Sequence, residues 1–302
     1  MIRMYYWFCT LVWGLNFIAV KIQGDLVAPE LSLFYRLALT CLMFGALLLW
    51  RQPDKPLGGG RRVTVLLFGV CNFALSYLCL YYGTLQSSAA VVTMIFSLKV
   101  VFTPLALAVV GRESVSGRIA VGGAMGIGAV FILLYPALVH HPESLSVSGL
   151  GLALVGTIIT SIGDVCSAIN ADRGVDPVCA NMFGFLVAGV VMGGFVWDKG
   201  VPVSLPPSIH YWSALLYLSV CASFFAWLFY LKLVKEIGGA RSGYMVALFP
   251  AIGGIASVVI GESDLTPYLV IGFSLSCAGA FVALKGKQMR EEQTWPSTST
   301  ST

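Results

Sequence analysis

The chain has 302 residues, of which 58% are hydrophobic and 11% are charged, and its mean hydropathy is +0.87. Soluble domains carry about 25% charged residues, so this composition excludes a soluble globular protein. The formal net charge of +4 is small, and the basic residues that produce it are scattered along the chain.

Long apolar stretches recur from the N-terminus onwards, separated by Gly, Pro and charged clusters. Each is close to the roughly 20 residues that cross a hydrocarbon core as a helix. We therefore predict an all-α membrane protein with ten transmembrane helices, at about 5–21, 30–50, 63–84, 88–110, 117–138, 147–171, 177–197, 210–231, 241–260 and 267–285. The Ser/Thr-rich residues 291–302 are typical of a disordered cytoplasmic tail.

The basic residues sort by side when the N-terminus is placed in the cytoplasm. Of the 18 lysines and arginines, only Lys21 and Lys199 then fall on the outer side, and only Arg36 and Lys99 fall inside helices. Cytoplasmic loops of membrane proteins carry such an excess of Lys and Arg. We predict a multi-pass protein of a bacterial inner membrane with both termini in the cytoplasm.

The fourth and fifth helices resemble the ninth and tenth. Both pairs run through a Glu-Ser element into a Gly-rich helix, so Glu113 corresponds to Glu262, and Lys99 falls near Phe249. Each half holds five predicted helices, an odd number, so the second half must be inverted relative to the first. Residues 1–142 and 143–290 are thus predicted to be two inverted repeats, an arrangement typical of secondary transporters.

Several short segments carry a resemblance to a known family: WGLNFIAVK in the first helix, FYR in the second, QSSAAVV before the fourth, and the doubled GRES/GES element. They resemble the drug/metabolite transporter (DMT) superfamily, and within it the EamA-type ten-helix transporters. The resemblance implies two five-helix EamA repeats around a central cavity, alternating access and metabolite export. Trp13 and Asn16 belong to the first of these motifs, which favours a position for Asn16 at the cavity.

Lys99 lies in the middle of the fourth predicted helix, where a lysine costs roughly 2.5–3.5 kcal/mol on insertion. Thr103 lies on the same face, and Pro104 is expected to break the backbone beside them because it cannot donate a hydrogen bond. Two interpretations stay open for Lys99. Its ammonium either lines the cavity and attracts an anionic substrate group, or it forms a structural ion pair with Asp164.

Three other polar groups inside the predicted helices also have alternative roles. Arg36 could reach the outer interface as a snorkelling side chain, or it could bind a carboxylate or phosphate in a vestibule. Asp164 could pair with Lys99, bind a coupling proton or point into an inner funnel. Asn72 could tie helices together or contact substrate. Many of the abundant aromatic side chains are expected at interfaces or facing lipid.

Motifs for chemistry are missing from the sequence. There is no His-Glu-x-x-His, no Gly-x-Ser-x-Gly and no nucleotide-binding loop, so we expect neither an enzyme nor a metal or cofactor site. The sequence favours a gradient-driven transporter of a small amino-acid-like, anionic or zwitterionic compound. Transport would be coupled to protons or to a counter-substrate. The lipid bilayer is a further expected partner, and nucleic acid is not. The alternatives are a nucleotide-sugar-like or organic-anion exchanger, and a receptor or scaffold without transport. Oligomeric state is not set by the sequence.

Overall fold

The computed structural model describes residues 1–24, 26–51, 59–111, 117–140 and 146–294. Over these residues the chain is helical without a β-strand, which confirms the all-α class. The helical regions are α1 (Ile2–Gly14 and Asn16–Gln23), α2 (Pro29–Arg51), α3 (Gly59–Gly69, Val70–Leu75 and Ser76–Gln86), α4 (Ala89–Ser97 and Lys99–Val109), α5 (Gly117–His140), α6 (Val147–Asp172), α7 (Pro177–Asp198), α8 (Ile209–Leu216, Tyr217–Phe225 and Ala226–Ser242), α9 (Gly243–Leu248 and Phe249–Val259) and α10 (Pro267–Thr294). The predicted counterpart Glu113 and residues 295–302 of the predicted tail lie outside the described residues.

Length and composition divide these helices into two groups. Eight helical runs in the described part of the chain, α1 to α8, are long and apolar enough to cross a membrane. Two further apolar helices are shorter, at Met245–Val259 in α9 and Pro267–Val282 in α10. The protein is therefore a multi-pass membrane protein, and all ten predicted segments coincide with helices.

The helix boundaries have local causes in the sequence. Ser88, Ser146, Asp176 and Ser208 each precede a helix and accept hydrogen bonds from its first backbone N–H groups, which stabilises the start of α4, α6, α7 and α8. Pro177 then occupies the first position of α7, where its missing N–H would have been unpaired anyway.

Several helices are irregular at their middle. The central segments of α3 and α8, Val70–Leu75 and Tyr217–Phe225, are π-helical. α4 is interrupted at Leu98, whose N–H bonds to the Ile95 carbonyl at 3.1 Å as in a 3₁₀ turn. The prediction that Pro104 breaks α4 is wrong, because Pro104 lies inside the continuous segment Lys99–Val109 and only removes one N–H donor there.

Three of the irregularities recur at a fixed spacing. Leu98 interrupts α4 directly before Lys99, and Leu248 occupies the same place before Phe249 in α9. Left-handed glycines follow α1 and α6 at Gly24 (φ 69°) and Gly174 (φ 67°), and follow α4 and α9 at Gly111 (φ 71°) and Gly261 (φ 73°). Each pair is 150 positions apart (24 and 174, 98 and 248, 111 and 261).

Helix packing follows a matching pattern. α5 packs on α10, α2 on α7, α4 on α9, α3 on α6, and α1 on α8. Exchanging each helix with the one five places along the chain leaves this set of pairs unchanged. α3 and α7 approach closely because Gly69 and Gly184 face each other, and an added Cβ at Gly69 would meet the Gly184 carbonyl oxygen at 2.4 Å.

Polar contacts show which helix ends share one face, here called the latch face. Lys21 near the end of α1 pairs with Glu262 after α9 at 3.5 Å, and Glu262 accepts a 2.9 Å hydrogen bond from the Ala89 N–H at the start of α4. On the same face Glu30, at the start of α2, accepts hydrogen bonds from Lys199 after α7 and from Tyr82 near the end of α3. The hydrogen bond to Glu30 raises the pKa of Lys199 above its ordinary value.

The end of α6 and the start of α3 lie at the opposite face. There the Asn170 amide at the end of α6 donates to the Thr64 carbonyl at the start of α3, at 3.4 Å. The start of α8 lies at the latch face, since Ser32 of α2 and Tyr211 are hydrogen bonded at 3.0 Å. α2 and α7, α3 and α8, and α4 and α9 are therefore antiparallel pairs.

Candidate functional site

Arg36 on α2 is the most deeply buried cation of the described residues. Its side chain is 1% exposed, and three neutral oxygens accept its hydrogen bonds. Nε donates to Ser223 Oγ at 2.9 Å, Nη2 to Asn16 Oδ1 at 3.2 Å, and Nη1 to the Tyr81 hydroxyl at 3.4 Å. The buried position excludes the snorkelling alternative.

Aromatic rings complete the surroundings of this guanidinium, which lies 4.4 Å from the centroid of the Tyr77 ring and 6.0 Å from that of Tyr81. We call Arg36, Asn16, Tyr77, Tyr81 and Ser223 the Arg36 cage. Among the described residues, no carboxylate lies within ion-pair distance of Arg36. The face of a ring attracts a cation but does not neutralise it, so the cage holds a buried charge without a counter-ion.

Backbone irregularities contribute two members of the cage. Asn16 begins the second segment of α1, directly after the interruption at Leu15. Ser223 lies in the π-helical segment of α8. A π-helical turn rotates the following side chains relative to a regular helix and is frequent at functional sites. Asn16 and Arg36 were predicted as site residues, but their contact and the role of Ser223 were not.

Lys99, Asp164 and Thr103 form a second polar group, between α4 and α6. Lys99 Nζ lies 2.9 Å from Asp164 Oδ2, and the Thr103 hydroxyl donates to the same oxygen at 3.0 Å. Both charged residues are buried, at 9% and 7% exposure. The ion pair considered from the sequence is therefore present, and Thr103 lies on the predicted face. Asp164 Oδ1 accepts no hydrogen bond from the described residues.

An aromatic cluster packs beside the Arg36 cage. Trp13 packs edge-on against Trp227 and Tyr230, with ring centroids 5.3 Å and 5.1 Å apart. Trp227 donates to the hydroxyl of Tyr77 in the cage at 2.9 Å. We expected many aromatics at interfaces or facing lipid, but these are in the interior. The spacing of Trp227 and Tyr230, one helical turn apart, was the available signal.

Asn72 lies beside Gly163 and is fully buried in the π-helical segment of α3. Neither polar atom of its amide has a hydrogen-bond partner among the described residues, so the structure gives no helix-tying bond for it. Its amide packs on the backbone of Gly163, where an added Cβ would lie 2.3 Å from Nδ2. Gly163 was not predicted from the sequence, because its role depends on a contact between helices.

Comparison with known proteins places this arrangement among membrane transporters. A model of the EamA-like transporter family matches residues 4–135 and again residues 147–285. An uncharacterized transporter of Archaeoglobus fulgidus is 21% identical over 280 residues, which cover 90% of this chain and 95% of that protein. The uncharacterized transporter YyaM of Bacillus subtilis is 20% identical over 279 residues, 89% of each chain. One crystal structure matches 95% of this chain and 98% of its own with a TM-score of 0.68 at 18% identity, which shows a shared fold.

Proposed function

The chain belongs to the EamA-like transporter family, and from that premise we propose that it is a secondary transporter for a small anionic or zwitterionic metabolite, working by alternating access. Amino-acid-like compounds fit this description best. The resemblance of its helices to metabolite exporters favours export from the cytoplasm. Like the matched family, it acts by transport and not by catalysis.

The observation that carries this proposal is the Arg36 cage. A guanidinium that is 1% exposed and has no acidic partner among the described residues lacks the counter-charge that buried cations normally require. A substrate carboxylate would supply that charge, and the planar fork of arginine suits bidentate binding of such a group. The cage lies between the two sequence repeats, since Asn16, Tyr77 and Tyr81 come from the first and Ser223 from the second.

We further propose that the halves 1–142 and 143–290 are inverted repeats whose ten helices all cross the membrane. The spacing of 150 positions between equivalent irregularities supports this. The antiparallel order of α2 and α7, α3 and α8, and α4 and α9 supports the inversion, and the self-exchanging set of helix pairs supports a two-fold relation. The shorter helices α9 and α10 would then cross the membrane as the counterparts of α4 and α5.

We also propose that the latch face lies outside, and that the opposite face, which holds Arg61 at the start of α3, lies in the cytoplasm of a bacterial inner membrane. The distribution of lysines and arginines supports this orientation, with both termini inside. The contacts of Lys21 with Glu262, and of Lys199 with Glu30, join the two halves at the outer face. Opening of the cage to the outside requires that both contacts separate.

Transport by purified protein in liposomes tests this function. The probes are the radiolabelled amino acids and a set of monocarboxylates and dicarboxylates, offered with and without an imposed proton gradient and with unlabelled compound inside to detect exchange. We expect at least one carboxylate-bearing compound to be transported, and Arg36→Gln to abolish its transport. The matched control is Arg51→Gln, which changes an exposed arginine at the end of the same helix.

Two results would contradict the proposal. One is the absence of carrier-dependent flux for every probe, which would favour a receptor or scaffold. The other is equal transport by Arg36→Gln and Arg51→Gln, which would exclude the cage as the substrate site. Size-exclusion profiles distinguish loss of transport from loss of folding, and we expect a normal profile for Arg36→Gln because the change removes an unpaired buried charge.

A further inference from the structure

A cavity lies apart from the Arg36 cage, at the face opposite the latch face. It has a volume of about 250 Å³ and is bounded by the start of α3, the end of α6, the start of α7 and the end of α8. None of the Arg36 cage residues lines it. Its size suits a small metabolite, at the lower end of the volumes typical of ligand pockets.

One polar side chain in the lining has an unfilled hydrogen-bond capacity. Asn170 is 3% exposed, and its Nδ2 donates to the Thr64 carbonyl at 3.4 Å, which fixes the orientation of the amide. Its Oδ1 has no hydrogen-bond partner among the described residues. A buried carbonyl oxygen without a partner is unfavourable, so a donor that enters the cavity and reaches Oδ1 would be stabilised by Asn170.

The charged groups of the lining have both signs. Arg61 and Lys235 contribute two cations, and no described carboxylate is paired with either. Asp176 contributes a carboxylate, of which Oδ1 accepts the N–H groups of Val178 and Cys179 at the start of α7. The cavity therefore offers cations for a negative group, and an amide oxygen and a carboxylate for a positive one.

The inner end of the cavity approaches the polar group on α4 and α6. Ser167 lines it and lies one helical turn along α6 from Asp164. Phe68 also lines it and packs against Trp227 of the aromatic cluster, with centroids 5.6 Å apart. The inner end of the cavity thus lies near Asp164 and Trp227, on the side away from the latch face.

We propose that this cavity is an inner binding site for a zwitterionic metabolite, occupied before the substrate reaches the Arg36 cage. Arg61 and Lys235 bind the carboxylate, while Asn170 Oδ1 and Asp176 accept hydrogen bonds from the ammonium group. The inference rests on the proposed transport function for its place on the path, but the binding site itself stands on the cavity and its lining. It specifies a zwitterion, where the cage alone specifies only an anion.

Equilibrium binding to the purified full-length chain tests the site. Each of the twenty amino acids is titrated by calorimetry, and the tightest binder is then compared with its deaminated and its decarboxylated analogue. We expect both analogues to bind at least about tenfold more weakly, because each loses a hydrogen bond to a charged group. Equal binding of the deaminated analogue, or no binding of any amino acid, would overturn the proposal.

A pair of adjacent arginines provides the matched control. Arg61 is half-buried and lines the cavity, whereas Arg62 is exposed and does not. We expect Arg61→Gln to weaken binding about tenfold or more and to raise the half-saturating concentration for transport from that face with an unchanged maximal rate. Arg62→Gln should leave both quantities within about twofold of the unaltered protein. Equal effects of the two changes would exclude Arg61 from the site.

Further outcomes distinguish the inner site from the transport function. Arg61-dependent binding without flux in liposomes would support the site and contradict the function. Flux that requires Arg36 but responds equally to Arg61→Gln and Arg62→Gln would support the function and contradict the site. Displacement of the bound amino acid by phosphatidylglycerol in nanodiscs, combined with indifference to the ammonium group, would assign the cavity to a lipid headgroup and overturn the proposal.

Discussion

The interior of this protein holds two cations in contrasting surroundings. Lys99 lies 2.9 Å from a carboxylate that also accepts a hydroxyl hydrogen bond. Arg36 is more deeply buried, yet only amide, hydroxyl and aromatic groups surround it among the described residues. The first charge is neutralised within the protein and the second is not. An external anion is therefore stabilised more by Arg36 than by Lys99.

The donor capacity of the two side chains reinforces the contrast. A guanidinium has five N–H donors, and three protein oxygens accept from Arg36, which leaves two for a ligand. The ammonium of Lys99 already faces Asp164 Oδ2, so a substrate anion would have to compete with a carboxylate at contact distance. Lys99 and Asp164 thus serve best as a link between α4 and α6, with the Arg36 cage as the anion site.

The strongest test of this contrast is Lys99→Gln. The change leaves Asp164 buried without its cation, which we expect to lower the free energy of unfolding by about 3–5 kcal/mol. Thermal unfolding of the purified protein in detergent measures the effect. The double variant Lys99→Gln with Asp164→Asn removes both charges and should recover most of the lost stability.

Transport by that double variant separates the two interpretations of Lys99. If the pair is a structural link, flux recovers together with stability. If Lys99 binds substrate, Lys99→Gln keeps its stability but loses transport, and the double variant stays inactive. This second pattern would reverse the roles assigned to the two cations.

Arg36→Lys tests the role of Arg36 as the anion site. The charge is kept, but a lysine ammonium cannot reproduce the planar fork that holds three protein oxygens and a carboxylate together. We expect the affinity for the transported compound to fall about 10- to 100-fold, the equivalent of one lost hydrogen bond to a charged group. Half-saturating concentrations in liposomes measure this, and an unchanged value would mean that Arg36 acts only as a point charge.

Helical periodicity explains which parts of the site could be predicted from the sequence. Lys99 and Thr103 are four positions apart, so their shared face follows from the helix itself. The cost of a lone charge in a membrane also made Asp164 a candidate partner for Lys99, beside the alternative that Lys99 lines the cavity. The contact between Arg36 and Asn16 depends on how α1 and α2 pack, which periodicity within one helix does not determine.

The irregular backbone was less predictable. Pro104 was the visible signal for a break in α4, yet the interruption lies at Leu98, a residue with no helix-breaking tendency of its own. The π-helical segments that carry Asn72 and Ser223 contain ordinary apolar sequence. Such features arise from the packing of helices against each other. Their one signal in the sequence is the repeat of 150 positions between the two halves, which the correspondence of Lys99 with Phe249 had already suggested.

Gly163→Ala tests how tightly Asn72 packs on α6 next to Asp164. An added methyl group would lie 2.3 Å from Asn72 Nδ2, so either the amide or α6 must shift. Overpacking of this kind costs about 1–3 kcal/mol, measured by thermal unfolding. Gly151→Ala is the matched control on the same helix, because a Cβ at Gly151 meets nothing within 4 Å. Equal stability of the two variants would contradict the tight packing of Asn72 on α6.

The smallest expected effect is that of Thr103→Val, which keeps the shape of the side chain but removes the hydroxyl that donates to Asp164 Oδ2 at 3.0 Å. Asp164 Oδ2 keeps Lys99 as its main partner, so the loss should be at most about 1.5 kcal/mol, the low end of the value of one hydrogen bond to a charged group. Thr103→Ser retains the hydroxyl and should stay close to the unaltered protein. Combining Thr103→Val with the double change at Lys99 and Asp164 should add little further loss, since the acceptor is then no longer charged. A full additional loss in that background would show that Thr103 stabilises α4 independently of the ion pair.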